Sequence, residues 1–257
     1  MRVEDQTNQH PLAIILAGGE SMRFGHLGQL LPKSLLPVTE SETLLSRNLD
    51  HLYQARIREV VISTSPENFL LLKPFVERYD KLAANSGFRS YPTTVFSNPL
   101  HKISSLAALG EIISNYTRRK YLMTFGDMFF SNNPYLAIGD LAVADLNLVG
   151  AYAHPDENDI QKGGLVLVRD GECKRFFLRP SNTLECEGLQ CWSGITMLTT
   201  EVAEDLREFV RTPHSPIEED FINFSISKGR RFCVYEVDRF INVNTYSDYI
   251  DILTSQL

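Results

Sequence analysis

Nowhere in this 257-residue chain do about eighteen apolar residues run together, the length a helix needs to cross a bilayer. The first ten residues, MRVEDQTNQH, lack the apolar segment of a secretory signal and read as a flexible leader. Cysteine is scarce: Cys173, Cys186, Cys191 and Cys233 are the only four. None is spaced as CxxC, and no histidine completes a zinc pattern. Reduced, buried or partly buried thiols are the favoured reading, with a Cys186–Cys191 pair as the minor one. Together these absences suit a cytoplasmic protein. Cations are outnumbered, 25 Lys and Arg against 32 Asp and Glu, for a formal net charge of −7. So acidic a chain disfavours nonspecific binding to nucleic acid or to anionic lipid. Any anion it handles must be met by a local cluster of cations. The most compact basic run is Arg118-Arg119-Lys120, which reads as a solvated helix end. Repeats, low-complexity tracts and Pro- or Ser-rich linkers are also missing.

What is present is an ordinary globular composition, 43% hydrophobic and 22% charged. LAIILA (12–17) is a continuous apolar run, as expected of a parallel strand covered on both faces. Residues 43–55 space Leu44, Leu45, Leu49 and Leu52 at helical intervals. EVVISTS (59–65) reads as the next strand, and residues 67–79 as a helix that Pro74 must kink or interrupt. TTVFS (93–97) is a third strand and ISSLAALGEIIS (103–114) an apolar-faced helix capped by Ser104 or Ser105. KYLMTFGD (120–127) and NLVGAY (147–152) are further strands. Alternation of strand and helix over the first 150 residues predicts a parallel sheet with helices on both faces. The second half is mixed: a hairpin over 164–178 turning at Asp170-Gly171, a strand at 191–199, helices near 200–211 and 217–227, a strand at 232–237 and a closing helix at 246–256. The expectation is one α/β domain over 11–257, with a Rossmann-like, mostly parallel half (11–150) and a mixed α+β half (151–257).

Ligands of such sheets bind beyond the carboxyl ends of the strands. Gly18, Gly19 and Asp127 all sit at such ends. The two glycines let the backbone turn sharply and present N–H groups to phosphate oxygens. Arg23 is a permanently charged fork for two oxygens. Lys33 is a compact cation whose backbone is restrained by Pro32. Glycine pairs alone are common in strand–turn–helix units, and this is neither GxGxxG nor GxxxxGK[ST].

The whole string is more specific. LAGGESMRF followed by LPKSLLPV resembles the signature of the nucleotidyltransferases that make nucleotide sugars, usually LAGGxGxR, a spacer, then PKxLLPV. It differs at Glu20-Ser21-Met22, which lacks the usual middle glycine, and in the His26–Leu31 spacer. The resemblance implies that Leu16, Ala17, Gly18 and Gly19 approach a nucleotide, with Asn98 and Ser104 contributing from the base-recognition segment. It implies that Arg23 and Lys33 neutralise the triphosphate and the transferred phosphoryl group. Asp127, in TFGDMFF, would hold a catalytic Mg2+, an ion that prefers hard oxygens and few protein ligands beside phosphates. In FINVNTYSDY, Asn242 stands where the family has its second aspartate and Asn244 follows, so either amide is a candidate ligand; an Asn-rich turn capping the last helix is the plain alternative. GGLVLVRDGECKRFFLRPS resembles the family's Gly-strand hairpin, with Leu178-Arg179 in place of Glu-Lys. Lys162, Gly164 and Arg179 are the implied acceptor-binding residues. SGIT (193–196) and PIEEDFI (216–222) extend the likeness to about residues 11–250.

The activity so implied is transfer of NMP from an NTP to a sugar-1-phosphate or similar phosphorylated acceptor, with release of pyrophosphate. A nucleotide-sugar-binding regulatory protein of weak or no activity on the same scaffold is the alternative, favoured by Asn242 and Leu178. A transferase that attaches a nucleotide to a molybdenum cofactor shares the glycine loop and Arg23-Phe24-Gly25. PKSLLPV and the long mixed second half speak against it. Tyr152 and Trp192 read as core aromatics before they read as acceptor-pocket walls.

Overall fold

A computed structural model describes residues 10–19, 22–85, 93–118, 120–141, 145–156, 159–160, 163–178, 187–211 and 218–255. Its first strand, β1 (Leu12–Leu16), is buried at all five positions, which is why its sequence is apolar without alternation. β1 pairs in parallel with β2 (Glu59–Thr64) on one side and β4 (Lys120–Phe125) on the other, and β2 pairs in parallel with β3 (Thr94–Ser97). Beyond β4 the sheet changes character. The long β9 (Leu189–Thr199) lies antiparallel between β4 and β6 (Asn147–Tyr152), and β10 (Phe232–Glu236) runs parallel to β6. The hairpin β7 (Gly164–Arg169) and β8 (Glu172–Leu178) completes a nine-stranded sheet of order β3-β2-β1-β4-β9-β6-β10-β8-β7. Of the parallel half expected over 11–150, four strands form the β3-β2-β1-β4 block; the fifth, β6, is cut off from them by antiparallel β9 and belongs to the mixed remainder. Asp170 and Gly171 turn the hairpin with φ of 53° and 72°, the conformation a tight two-residue loop requires.

Two apolar layers sandwich the sheet. Leu12, Ile14 and Leu16 face one cluster with Leu106, Leu109 and Ile112 of α4 (Ser105–Asn115). Ala13 and Ile15 face the other, with Leu45, Leu49 and Leu52 of α2 (Leu44–Gln54). Between β1 and α2 the chain forms a short 3₁₀ turn η1 (Met22–Phe24), helix α1 (Gly25–Leu30) and a second 3₁₀ turn η2 (Lys33–Leu35). A third cluster of Phe24, Leu36, Val38, Phe129, Val243, Tyr249 and Ile252 joins this loop to the C-terminal helix.

Three expectations change. Helix α3 (Pro66–Asn85) runs unbroken through Pro74, so of the two outcomes expected there, a kink or an interruption, the interruption does not occur. The proline is exposed, and so is Leu70, whose carbonyl loses its partner to the missing N–H. Water on that face can satisfy the carbonyl, while buried Leu72 and Val76 anchor the opposite face. The basic run is not a solvated helix end. Arg118 forks onto Glu59 at 2.8 and 2.9 Å, and Lys120 is buried at the start of β4. Arg119 lies outside the described residues. Finally, β5 (Met128–Phe130) and β11 (Phe240–Asn242) form a separate antiparallel ribbon. Three residues each are too few for periodicity to reveal.

Among the described residues no helix is long and apolar enough to cross a membrane. Cys173, Cys191 and Cys233 are free thiols, and Cys186 lies outside the described residues. Burial pushes the thiols of Cys173 and Cys191 up to about 12, so neither is reactive near neutrality. Trp192 is a core residue, stacked edge-on against Phe125 and Phe176.

Candidate active site

The carboxyl ends of β1, β2 and β4 converge through the backbone. Ala17 N–H donates to Ser63 O at 2.8 Å, and Gly126 N–H donates to Leu16 O at 2.9 Å. The Thr64 hydroxyl adds a bond to Ala17 O at 2.9 Å. These bonds bring the glycine loop and the Gly126-Asp127 turn to one edge. There they enclose a cavity of about 260 Å3 whose wall includes Leu16, Ala17, Gly18, Gly19, Lys33 and Asp127. Lys33 Nζ lies 3.1 Å from Asp127 Oδ2, with 15% and 27% of the two side chains exposed. Residues 94 positions apart, chosen from their motifs, thus form one ion pair in one pocket. Pro32 leads directly into η2, which carries Lys33, and the Lys33 ammonium also lies 5.8 Å from the Phe24 ring.

The other expected residues divide. Arg23 is exposed on η1 and is not among the residues lining this cavity. Asn98 is fully buried and spends its side chain on structure. Its Oδ1 accepts from Leu100 N–H at 2.9 Å, and its Nδ2 donates to Ala108 O at 3.0 Å and Ser63 Oγ at 3.3 Å. Ser104 is the N-cap of α4, accepting from Ala107 N–H at 3.1 Å. Both are therefore caps, and it is the next residue, Ser105, that lines the cavity. Gly164 is packed between Phe176 and Trp192, where an added Cβ would lie 3.0 Å from each ring. Its neighbour Gly163 lines a second, larger cavity instead. Lys162 and Arg179 lie outside the described residues.

That second cavity has a volume of about 790 Å3, and Asn242, Asn244, Arg47 and Arg239 contribute to its wall. Arg239 is 2.6 Å from Asp156 and 3.9 Å from Asp159, whose carboxyl is held above its usual range by burial and by the charge of Asp156. Asp127 and Asn242 come from opposite sides of the β5–β11 ribbon: Val243 N–H donates to Asp127 O at 3.0 Å, and Asn242 pairs with Met128. Their backbones are thus neighbours, while Asp127 lines the smaller cavity and Asn242 the larger. The last helix, α8 (Tyr246–Ser255), is not capped by asparagine. Thr245 caps it reciprocally with Asp248, whose Oδ2 accepts from Thr245 N–H at 2.7 Å and from Asn244 N–H at 3.0 Å.

Sequence reasoning missed His101, Asn68, Ser34 and Ser105, all in the wall of the smaller cavity. His101 sits at the end of a 3₁₀ turn, η3 (Pro99–Lys102), and its Nε2 lies 3.0 Å from Ser63 Oγ. Burial lowers its pKa, partly offset by a hydrogen bond to the Ser63 backbone. Ser105 donates to Glu218, a buried carboxylate at the start of α7 (Glu218–Ser227). The one available signal was proximity to the Asn98-Pro99 turn, which fixes where the segment re-enters the sheet edge.

Residues 13–138 match the family model of the MobA-like NTP transferase domain. No curated protein sequence matches the chain. Among the solved structures that match it, two do so nearly end to end. One is a glucose-1-phosphate thymidylyltransferase from Bacillus anthracis in complex with sucrose, at 17% identity and TM-score 0.76, covering 95% of this chain and 94% of that one. The other is a UDP-glucose pyrophosphorylase complexed with UDP-glucose, at 15% identity and TM-score 0.77, covering 96% and 98%. At such identities the likeness is one of fold, and it extends through the mixed second half where the family model stops. Residues 13–138 are thus similar to the MobA-like NTP transferase domain, and the chain as a whole shares the fold of these two solved structures.

Proposed function

We propose that the protein transfers NMP from an NTP to a sugar-1-phosphate or a similar phosphorylated small molecule, releasing pyrophosphate. The observation that carries this reading is the Lys33–Asp127 pair, 3.1 Å apart in a glycine-walled cavity at the end of β1. In this reading the smaller cavity receives the nucleotide and the larger one, which Gly163 and Asn242 help to line, receives the acceptor. Residues 11–150 then serve as the nucleotide-binding half and 151–257 as the acceptor-binding half of one domain. Free thiols, two of the three described being buried, suit a cytoplasmic setting.

An acceptor phosphate oxygen attacks the α-phosphorus in line. The new P–O bond forms as the bond to the β-phosphate oxygen breaks, and pyrophosphate carries the electron pair away. The nucleophile is already anionic, so no general base is needed. Catalysis reduces to positioning and charge neutralisation. Lys33 has three donors, so its ammonium can keep Asp127 and still reach the α-phosphoryl oxygens. Arg23, exposed beside the loop, is free to fold over the departing pyrophosphate. Lys162 and Arg179 are the proposed clamps for the acceptor phosphate. Asp127, with the amide of Asn242 or Asn244, is the set of residues that would hold Mg2+. Their hard oxygens are the donor type that Mg2+ prefers. When bound, the ion supplies charge neutralisation at the triphosphate.

The test is a pyrophosphate-release screen with Mg2+, pairing each of four NTPs with a panel of phosphorylated acceptors. Turnover with one pair establishes the activity. Saturable nucleotide binding without turnover across the whole panel would instead establish the regulatory alternative.

A further inference from the structure

The lining of the smaller cavity is chemically divided. Among the described residues its charged members are Lys33 and Asp127, while the side chains that can otherwise hydrogen-bond are neutral: Ser34, Asn68, His101 and Ser105. A nucleotide has the same division, with charge at the phosphates and none at the base. Two of the neutral side chains are held from behind by buried groups. Ser105 spends its hydroxyl hydrogen on Glu218, so toward the cavity it can only accept. His101 is tied through Nε2 to Ser63, and Ser63 Oγ in turn accepts from Asn98 Nδ2 at 3.3 Å. Ser63 and Asn98 are both fully buried. The imidazole also lies flat on the glycine loop. A Cβ built on Gly18 would fall 2.1 Å from Cγ, 2.3 Å from Nδ1 and 2.5 Å from Cδ2 of His101, that is, on the face of the ring. The absence of a side chain at Gly18 is therefore what lets this ring reach the cavity wall.

We propose that His101 hydrogen-bonds the base of the bound nucleoside triphosphate and sets which base is accepted, with Ser63 as its positioning residue. This rests on the nucleotide reading of the cavity given above. Burial keeps the imidazole neutral near pH 7, so it reads an uncharged edge rather than a phosphate.

The experiment measures KM and kcat by pyrophosphate release for each of the four Mg2+-NTPs, in wild type, His101→Phe, His101→Ala and Ser63→Ala. Thermal unfolding of each unliganded variant verifies folding. His101→Phe keeps a flat ring over Gly18 and removes both nitrogens. The expected result is a KM for the favoured NTP raised roughly three- to tenfold in His101→Phe, the effect of one lost hydrogen bond. Its kcat should change less, and its preference over the next NTP should shrink by a similar factor. Ser63→Ala should move KM and preference the same way by less. A His101→Phe enzyme with unchanged KM and NTP ranking, beside an active wild type, overturns the inference, and impairment confined to His101→Ala would assign the ring to packing alone. A wild type that neither turns over nor binds any NTP overturns the nucleotide reading itself, and this inference with it.

Discussion

At the scale of single residues, the sequence was legible where chemistry and backbone geometry coincide. Gly18, Gly19, Lys33 and Asp127 could be chosen because a glycine turn, a restrained cation and a strand-end carboxylate are each unusual in themselves. Asn98 and Ser104 were illegible because capping and ligand binding call for the same residue types. Only coordinates show which backbone groups a side chain has already taken. Two predictions belong here. Lys33→Ala should lower kcat/KM by about 10²–10³, by analogy with the loss of one oxyanion donor. Stability should change by less than about 1 kcal/mol, because the pair it leaves behind is partly solvated. Steady-state kinetics beside urea unfolding checks both halves, and near-normal turnover would remove Lys33 from the reaction. Gly18→Ala should cost about 1–3 kcal/mol, since its methyl would overlap the His101 ring. The same variant should weaken NTP binding in a titration, and a folded variant with unchanged affinity would show that the ring has room to move at no cost.

Among the elements, long and strongly patterned segments matched their expected positions, while β5 and β11 did not surface at all. Their pairing matters more than their length suggests, since the ribbon sets Asp127 against the strand that carries Asn242. Asn48 of α2, which is 2% exposed, holds the ribbon together with Arg47, whose guanidinium donates to Phe130 O and Ser131 O. Asn48 donates to Leu44 O and to Met128 O at 2.9 Å each and accepts from the Tyr135 hydroxyl at 3.1 Å. No periodicity announces a buried asparagine on an apolar helix face, and a polar residue there looks like a flaw in the pattern until its partners are known. Asn48→Ala strands the Met128 carbonyl and opens a small void. It should therefore cost about 2–3 kcal/mol in chemical unfolding. Because the ribbon carries Asp127 at the proposed active site, kcat should fall with it even though Asn48 lines neither cavity. A loss of stability with kcat unchanged would mean that the ribbon holds its place without this strut.

Across the whole molecule, the sequence carried the strand–helix alternation of the first half but not the sheet order. The insertion of antiparallel β9 between β4 and β6 joins strands far apart in the chain, and such pairings are settled by packing of faces rather than by any local signal. The core of the β3-β2-β1-β4 block was legible because β1, β2 and β4 are buried on both faces and say so in their composition, whereas β3 is a half-exposed edge strand. The same thoroughness of burial gives the molecule a pH response. His51, on the inner side of α2, has its pKa lowered from 6.5 to about 4 by burial and by the nearby Arg47 charge, and its Nδ1 has no partner among the described residues. The unfolded chain therefore takes up a proton at this site at higher pH than the folded one does. Between those two values the unfolded state binds more protons, so stability falls as pH is lowered from about 6.5 toward 4 and is unaffected by this group above 6.5. His101 adds a contribution of the same sign. Glu67 and Glu172 behave differently: their carboxyls are held below the ordinary range by hydrogen bonds to Lys102 and to Lys174 and Arg231. What they contribute is lost only below about pH 4.5, so the upper part of the window belongs to the histidines. The measurement is unfolding free energy at intervals from pH 7.5 to 4.5 for wild type and His51→Gln. The wild-type curve should decline through this range and the variant's should decline less. Parallel curves would mean that His51 accepts its proton in the folded state at an ordinary pH, and that the helix face it occupies opens to water far more readily than its burial implies.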